Sequence, residues 1–431
     1  MIEWYDKAGT CQACNEYDDR NRVIRQKDAQ GAQYTLEYFE DHTIVTDGEG
    51  NVSEIWFDER MRTTKVVDAQ GGETLYAYDG EGNLSGVTDS LGRFTAYEYD
   101  ARGSKTRAVA ADGSECTFEY DAQGHLVAQT DQRGNRTAYE YDERGNLTRT
   151  IFADGSSQSS EYDSQDRRTS FTDPLGGVTY YEYGTSGKSP VRITDANGNT
   201  TFYEYDAQGH MTASENALGE RTEYEYDTSG NLLKTIFADG AEYAYTYDVL
   251  GNLLTHTDAL GNVTCYEYDS VGNNTAIIYA DGSRMEMTYT SNGNLSSETD
   301  AMGGKTTYTY DGNGNKITQE DALGNQTSYE YDSQGRLVKE ISPSGAARTY
   351  EYDPVTGLVI AETDGSGVRD EFEYDPSGNL TAWIYANGAR LENTYDSMDR
   401  LVSRRNPNGG VTRYEYNALG MLTTKTDALG M

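Results

Sequence analysis

Hydrophobic and polar residues alternate along short segments of this chain with a period of two residues, which is typical of β-strands. In the segment Thr-Ala-Tyr-Glu-Tyr that ends at Tyr141, the threonine and both tyrosines are expected on one face and the alanine and glutamate on the other. The segments are rich in Thr, Tyr, Val and Ile, and no stretch of useful length has a helical period. The pattern therefore predicts an all-β protein in which tyrosines and glutamates point to opposite faces.

The segments are separated by turns of recognisable composition. Asp-x-x-Gly-Asn, as in Asp142–Asn146, suits a three-residue loop in which a type I turn is followed by a left-handed Gly. This loop pairs Asp142 with Asn146 and places Leu147 beside Tyr141 on one face. The turns between these have either the same form or a tighter Asp-Gly form, for which we predict type I′ hairpins. The tighter turns are Asp112-Gly113, Asp154-Gly155, Asp239-Gly240 and Asp281-Gly282.

The unit of strand, turn, strand and turn repeats along the chain, since Tyr247 and Tyr268 are 21 residues apart and most other Tyr-Asp pairs keep this spacing. Residues 1–40 are degenerate repeats, and residues 41–431 form a regular array that ends within a repeat. The residues assigned to the structural repeat are Tyr99, Tyr141, Tyr226, Tyr247, Tyr268, Tyr310, Tyr331, Tyr352, Gly145, Gly230, Gly261, Gly272, Leu147 and Leu232.

Sequential hairpins without helices predict one long antiparallel sheet that twists and curls into a hollow β-shell, or into an open section of one. About twenty units of two strands, spaced about 4.8 Å apart, give a sheet roughly 190 Å long. Curled once, such a sheet leaves room for a small protein with a radius of gyration of about 13 Å.

Composition and charge exclude several classes of protein. Hydrophobic residues make up only 35% of the chain, whereas tyrosine (37 residues) and glycine (46 residues) are over-used. The formal charge of −37 does not indicate disorder, because aromatic and β-branched residues recur at fixed intervals. So acidic a surface repels phosphate backbones and anionic lipids, so we expect neither nucleic-acid binding nor membrane insertion. No signal peptide is visible in this sequence.

Candidate catalytic and metal-binding residues have simpler structural interpretations. Cys11 and Cys14 lack the second pair that a zinc site needs, so an incidental or structural role is expected. His125 and His210 replace the turn asparagine, and no Gly-x-Ser-x-Gly or metalloprotease motif accompanies them. Most turn aspartates are expected to accept hydrogen bonds from backbone amides two residues further on. We therefore predict no enzyme activity, no metal and no cofactor.

The tyrosines allow a second function. Tyr139, Tyr224, Tyr266 and Tyr329 are candidate glycan-binding residues, since an aromatic face stacks on a sugar ring and its rim offers a polar contact. The simpler interpretation is that they pack within the sheet, because their fixed spacing is what sheet packing requires.

The motifs resemble a known family. Tyr-Asp-x-x-Gly-Asn-Leu occurs at Tyr141–Leu147, Tyr226–Leu232 and Tyr374–Leu380, with Thr-Asp-Ala-Leu-Gly-Asn between such motifs. This phased pattern covers almost the whole chain and resembles the RHS or YD repeat. That family includes bacterial polymorphic toxins, the B and C components of insecticidal toxin complexes, wall-associated toxin proteins and teneurins.

The resemblance implies a ribbon of hairpins that forms a hollow shell. In toxin members the shell encloses a C-terminal toxin, which self-cleavage at the end of the repeats releases. No Arg-Tyr-Tyr-Asp-Pro-like motif is found here, and Asp173-Pro174 lies in the middle of the array, where it is interpreted as an ordinary turn. The resemblance therefore does not assign a toxin or a protease function to this chain.

We therefore expect a non-enzymatic shell or shell segment that encloses a passenger toxin polypeptide or joins the remaining shell segments, in a secreted or bacterial cell-surface protein. The alternative is a cell-surface or carbohydrate-binding adhesion module that recognises glycans through the tyrosine-rich face. Exposed rims and end strands also predict edge-to-edge self-association.

Overall fold

The structure, a computed structural model, describes residues 2–5, 11–28, 33–185 and 187–430. These residues form 41 β-strands joined by turns, and they contain no helix. None of the described segments is therefore a helix long and apolar enough to cross a membrane. The predicted all-β fold of sequential antiparallel hairpins is confirmed.

The strands are β1 (Ile2–Tyr5), β2 (Cys11–Tyr17), β3 (Val23–Asp28), β4 (Gln33–Tyr38), β5 (His42–Thr46), β6 (Val52–Phe57), β7 (Thr63–Val67), β8 (Glu73–Tyr78), β9 (Leu84–Thr88), β10 (Phe94–Tyr99), β11 (Lys105–Val109), β12 (Glu115–Tyr120), β13 (Leu126–Thr130), β14 (Arg136–Tyr141), β15 (Leu147–Ile151), β16 (Ser157–Tyr162), β17 (Arg168–Thr172), β18 (Val178–Tyr183), β19 (Pro190–Thr194), β20 (Thr200–Tyr205) and β21 (Met211–Glu215). They continue with β22 (Arg221–Tyr226), β23 (Leu232–Ile236), β24 (Glu242–Tyr247), β25 (Leu253–Thr257), β26 (Val263–Tyr268), β27 (Asn274–Ile278), β28 (Arg284–Tyr289), β29 (Leu295–Thr299), β30 (Lys305–Tyr310), β31 (Lys316–Glu320), β32 (Gln326–Tyr331), β33 (Leu337–Ile341), β34 (Ala347–Tyr352), β35 (Val359–Thr363), β36 (Arg369–Tyr374), β37 (Leu380–Ile384), β38 (Arg390–Tyr395), β39 (Leu401–Arg405), β40 (Val411–Tyr416) and β41 (Leu422–Thr426).

The strands group into two compact units. Unit 1 comprises residues 1–76, 88–92 and 221–348, and unit 2 comprises residues 77–87, 93–220 and 349–431. Within each unit, a strand pairs antiparallel with its neighbour in sequence, as β14 does with β13 and β15. Each unit therefore contains an early and a late part of the same ladder of hairpins.

Two kinds of turn alternate along this ladder. A Tyr-Asp turn follows a strand that ends in tyrosine, as Asp142–Asn146 follows β14, and we call the other kind, such as Asp131–Asn135, the alternate turn. In the Tyr-Asp turn, the amide of Asp142 donates to Asn146 O at 3.0 Å, and Gly145 has φ 88°. The predicted three-residue loop with a left-handed glycine is confirmed, as is the pairing of Tyr141 with Leu147.

The type I′ prediction for the tighter Asp-Gly turns is wrong. In the turn at Asp112-Gly113, the amide of Ala110 donates to Ser114 O, and the amide of Gly113 donates to Ala110 O, both at 2.9 Å. Only Gly113 has a positive φ, of 81°, whereas a type I′ turn requires two such residues. Asp154-Gly155, Asp239-Gly240 and Asp281-Gly282 follow the same pattern. These tighter turns therefore form the same three-residue loop with a single left-handed glycine as the Tyr-Asp turns.

A β-bulge after each regular Tyr-Asp turn resets the alternation of side chains. Tyr141 pairs with Leu147 but Glu140 pairs with Arg149, so Thr148 is an extra residue on β15. Without the bulge, Leu147 and Arg149 would share a face. With it, Leu147 lies on the tyrosine face and Arg149 lies on the glutamate face.

Very little of the described chain is fully buried. No large side chain in this described part is fully buried, and each of the buried alanines lies opposite a glutamate of the neighbouring strand, as Ala128 lies opposite Glu119. The other alanines of this kind are Ala213, Ala276, Ala361 and Ala382. Each face is thus covered by its own large side chains, which lie across small residues.

Candidate functional site

The Tyr-Asp turn is held by its own aspartate. Asp142 Oδ1 accepts the backbone amides of Arg144 and Asn146, both at 2.9 Å, and Asp142 Oδ2 accepts Asn146 Nδ2 at 2.9 Å. The expected bond from the amide two residues on is confirmed. These donors favour the charged carboxylate, and the side-chain bond from Asn146 contributes most to lowering the pKa of Asp142.

The fifth residue of the turn is interchangeable among donors. In place of Asn146, Arg167 forms an ion pair with Asp163 at 2.7 Å, and His125 Nδ1 lies 2.9 Å from Asp121 Oδ2. His210 contacts Asp206 in the same way. The two turn histidines therefore occupy the position of a hydrogen-bonding asparagine.

In many repeats, the tyrosine that ends the strand before a Tyr-Asp turn has a role that sequence reasoning missed. Tyr141 Oη donates to Leu126 O at 2.9 Å, and Tyr331 Oη donates to Lys316 O at 2.8 Å, in each case 15 residues earlier. The same bond is made by Tyr38, Tyr120, Tyr162, Tyr183, Tyr205, Tyr289, Tyr310, Tyr395 and Tyr416. Its acceptor is the backbone oxygen of the first residue after the preceding Tyr-Asp turn. The fixed repeat length gives the spacing of this bond in the sequence, but not the atom that accepts it. The bond fastens each hairpin to the one before it.

The other assigned repeat residues occupy equivalent places. Tyr99, Tyr226, Tyr247, Tyr268 and Tyr352 are each the last residue of a strand and are half-buried. Burial is the main cause that raises the pKa of Tyr99, Tyr247 and Tyr268. Gly230, Gly261 and Gly272 have φ of 91°, 84° and 94°, and Leu232 pairs with Tyr226 as Leu147 does with Tyr141.

The candidate glycan-binding tyrosines lie two residues earlier, in mid-strand. Tyr139, Tyr224, Tyr266 and Tyr329 are all half-buried. Tyr139 and Tyr224 lie opposite the buried threonines Thr150 and Thr235. This packing favours a structural role over sugar stacking, and glycan binding by these residues stays a prediction.

The glutamate face carries ion pairs that span an intervening strand, as between β26 and β28 and between β36 and β38. Arg284 Nη2 lies 2.7 Å from Glu267, and Arg390 Nη2 lies 2.6 Å from Glu373. These pairs are substantially exposed, so each contributes little to stability, although they hold long side chains flat over the buried alanines.

The remaining histidines and the described cysteines do not come together at a common site. His42 stacks between Phe39 and Trp56, and His256 stacks on two tyrosines. Cys116 and Cys265 are free thiols, and burial raises the pKa of Cys116. The side chains of Cys11 and Cys14 lie outside the described part of the chain. Among the described residues, no group of three or more His, Cys, Asp or Glu side chains is placed to hold a metal ion.

The most informative contacts in unit 1 join turns that are far apart in sequence. Asn292 Nδ2 donates to Asp47 Oδ2 at 2.7 Å across 245 residues, and Ser90 Oγ donates to Ser333 O at 3.1 Å across 243 residues. Asp47 and Ser90 belong to alternate turns, whereas Asn292 and Ser333 belong to Tyr-Asp turns. We call the two rows of turns the alternate rim and the Tyr-Asp rim.

Unit 2 repeats this arrangement independently. Arg133, on an early alternate turn, donates to Asp399 Oδ1 at 2.5 Å and to Asp396 O at 2.9 Å in a late Tyr-Asp turn. Arg400 of the same Tyr-Asp turn lies 3.3 Å from Asp154 on the next alternate turn. In both units, therefore, the early alternate rim contacts the late Tyr-Asp rim.

Comparison with known proteins identifies the repeat family and the fold. Residues 130–280 and 266–424 match the family model of the teneurin YD-shell, which covers more than half of the chain, and residues 58–93 and 78–115 match the RHS repeat. Among curated protein sequences, no relative matches this chain.

Solved structures of the complex of TcdB2 and TccC3 share the fold. The complex TcdB2-TccC3-Cdc42 is 14% identical with a TM-score of 0.69, and the match covers 99% of this chain and 28% of that one. TcdB2-TccC3 without its hypervariable C-terminal region is 15% identical, also with a TM-score of 0.69, over 97% of this chain and 27% of that one. The Tc holotoxin pore of Photorhabdus luminescens is 14% identical with a TM-score of 0.52, over 97% and 29%. This chain thus spans less than a third of the length of these structures.

Proposed function

Because this chain belongs to the teneurin YD-shell family, we propose that it forms a non-catalytic wall, or a segment of one, that encloses a passenger polypeptide. The observation that carries the proposal is the contact between the early alternate rim and the late Tyr-Asp rim in both units. A ribbon that only presented a binding face would not need its rims to meet. A wall does, because open rims leave gaps.

The energetics suit a wall that contains few large buried side chains of its own. An antiparallel sheet can leave a face solvated when its strands are well paired. Here turn aspartates and tyrosine hydroxyls satisfy backbone groups in many repeats, as at Asp142 and Tyr141. The wall is therefore held by many local bonds, and its faces remain available to a passenger or to solvent.

One of the structural neighbours supports a proposal for the passenger. It is TcdB2-TccC3 described without a hypervariable C-terminal region, which indicates a variable segment attached to a shared fold. By analogy, this wall encloses a toxin-like polypeptide or joins the remaining shell segments, in a secreted or cell-surface protein.

A protection experiment tests enclosure. A reporter domain of about 100 residues, with a radius of gyration of about 13 Å, is fused after Met431 and treated with proteinase K. The matched control carries Arg133→Ala and Arg400→Ala, which remove contacts between the two rims of unit 2. We expect the reporter to survive in the parent fusion and to be digested in the control. Equal digestion of the parent fusion and of the free reporter would refute enclosure.

A further inference from the structure

A row of apolar side chains stands exposed on the late alternate rim of unit 1. Leu260, Met302 and Leu323 are 87%, 97% and 86% exposed, and each is the third residue of an alternate turn. Turns of one kind are two strands apart, so neighbouring members of the row are separated by about 10 Å or a multiple of it. Met302 and Leu323 lie on consecutive alternate turns, whereas Asp281 occupies the third position of the turn between Leu260 and Met302.

On the covered alternate rim of unit 1, contacts come from the first and second turn positions, at Asp47 and Ser90. In unit 2 they come from the third turn position. Arg133 and Asp154 occupy it in unit 2, and their side chains are only 19% and 21% exposed because the late Tyr-Asp rim lies against them. In unit 1, Leu91 occupies it beside the Ser90 contact and is 39% exposed. Leu260, Met302 and Leu323 occupy the turn position that makes the contact in unit 2, and nothing in the described part of unit 1 covers them.

We infer that this row binds the early Tyr-Asp rim of a second copy of the chain, at the turn formed by residues 58–62. Within one chain, the alternate rim meets a Tyr-Asp rim in both units, so the occupant with the right geometry is another Tyr-Asp rim. The early turn at residues 58–62 presents Met61, which is 71% exposed, next to the exposed Arg60. The thioether packs on the apolar row, and the guanidinium lies near the acidic alternate turns that begin at Asp258 and Asp300.

Such a contact is head to tail, because the two surfaces are different and lie on different parts of the same unit. Heterologous contacts add copies one after another, so oligomers grow with concentration instead of stopping at a dimer. The net charge of −37 opposes the approach of two copies, and salt screens that repulsion. Association is therefore stronger at high ionic strength. It does not depend on the passenger proposed above.

Sedimentation velocity of the full chain over a range of concentrations, at low and high salt, tests the inference. The test variant carries Leu260→Asp, Met302→Asp and Leu323→Asp at side chains that the fold leaves in solvent. The control carries Val249→Asp, at a side chain that is 82% exposed in unit 1 but lies on the Tyr-Asp rim. We expect a series of oligomers for the parent and for the control, and at least a tenfold weaker association for the test variant.

Photo-crosslinking identifies the contact. A benzoylphenylalanine at position 302, in a mixture of isotope-labelled and unlabelled chains, is expected to crosslink between copies to residues 58–62. A parent that stays monomeric at all concentrations, or that stops at a dimer, would overturn the inference. So would intermolecular crosslinks from position 302 to the alternate rim of the second copy.

Discussion

At the scale of single residues, each turn depends on two side-chain choices. The first residue must offer a carboxylate to the loop amides, as Asp142 does, and the fourth must tolerate a left-handed backbone, as Gly145 does. The fifth position is more permissive, since asparagine, arginine and histidine all reach the same carboxylate oxygen. This explains why Tyr-Asp and Gly persist along the chain while the other turn positions vary.

Two glycines of Tyr-Asp turns should respond oppositely to alanine. Gly272 has φ 94°, so Gly272→Ala is expected to destabilise its hairpin by about 1–2 kcal/mol. Gly80 is the second residue of such a turn, has no positive φ and has open space around it, so Gly80→Ala is expected to be neutral or slightly stabilising. Hydrogen exchange of the flanking strands, β26 and β27 for Gly272, measures the local effect. Similar exchange rates in both variants would contradict this account of the turn.

At the scale of elements, the unit of cohesion is the hairpin fastened to its predecessor. The Tyr331 hydroxyl, at the end of β32, donates to Lys316 O at the start of β31, and backbone pairing joins these two neighbouring strands directly. Neighbouring Tyr-Asp turns are also linked directly, since Asn146 Nδ2 donates to Asp166 Oδ1 at 2.8 Å. Cohesion along the ladder is therefore a sum of nearest-neighbour bonds.

Alkaline pH should loosen these links. Burial raises the pKa of Tyr331 and Tyr310 above the ordinary value of 10.0. A raised pKa in the folded state means that the stabilisation is complete below about pH 10 and is lost as pH rises further. The ionised oxygen can no longer donate to the carbonyl. We expect the urea midpoint, followed by circular dichroism, to fall between about pH 9 and pH 11.

Salt distinguishes this loss from general repulsion between acidic groups. At about 1 M salt the screening length is about 3 Å, so long-range repulsion is suppressed while loss of the hydroxyl donor remains. A urea midpoint that stays constant across this pH range at high salt would show that the tyrosine bonds do not stabilise the ladder.

At the scale of the whole molecule, polar contacts join parts of the chain that are more than 240 residues apart. They are few, and they are made by turn residues whose identity varies between repeats. Arg133 alone reaches Asp396 O and the carboxylate of Asp399. Within each unit, the long-range organisation is thus decided by a small number of side chains at the rims.

Removing Arg133 should affect both of the turns that it joins. In Arg133→Ala we expect faster hydrogen exchange at residues 131–135 and also at residues 396–400, because the rim contact is lost. The control is Arg136→Ala, which removes an exposed pair with Glu119 on the sheet face and should leave residues 396–400 unchanged. If exchange at residues 396–400 is the same in the parent and in Arg133→Ala, the contact does not hold the rims together.

Local rules read from the sequence account for the strands, the loop at Asp142–Asn146 and the pairing of Tyr141 with Leu147, since each depends on residues close together in the chain. The Asp112-Gly113 turn was wrongly predicted because a two-residue motif does not specify how many residues the loop contains. The division into residues 1–40 and 41–431 stays a prediction.

Only the tertiary structure showed the features that depend on a shift in strand register or on contacts between residues far apart in the sequence. The bulge at Thr148 moves Arg149 to the glutamate face, and a strictly alternating pattern cannot show an extra residue. The partner of the Tyr141 hydroxyl is a backbone oxygen, which every residue carries, so sequence cannot single it out. The contact of Arg133 with Asp399 depends on where the ladder returns, which accumulates from small twists over many strands. The sequence of each repeat thus determines its strands and turns. Which turns of the two rims meet is determined only by the folded chain.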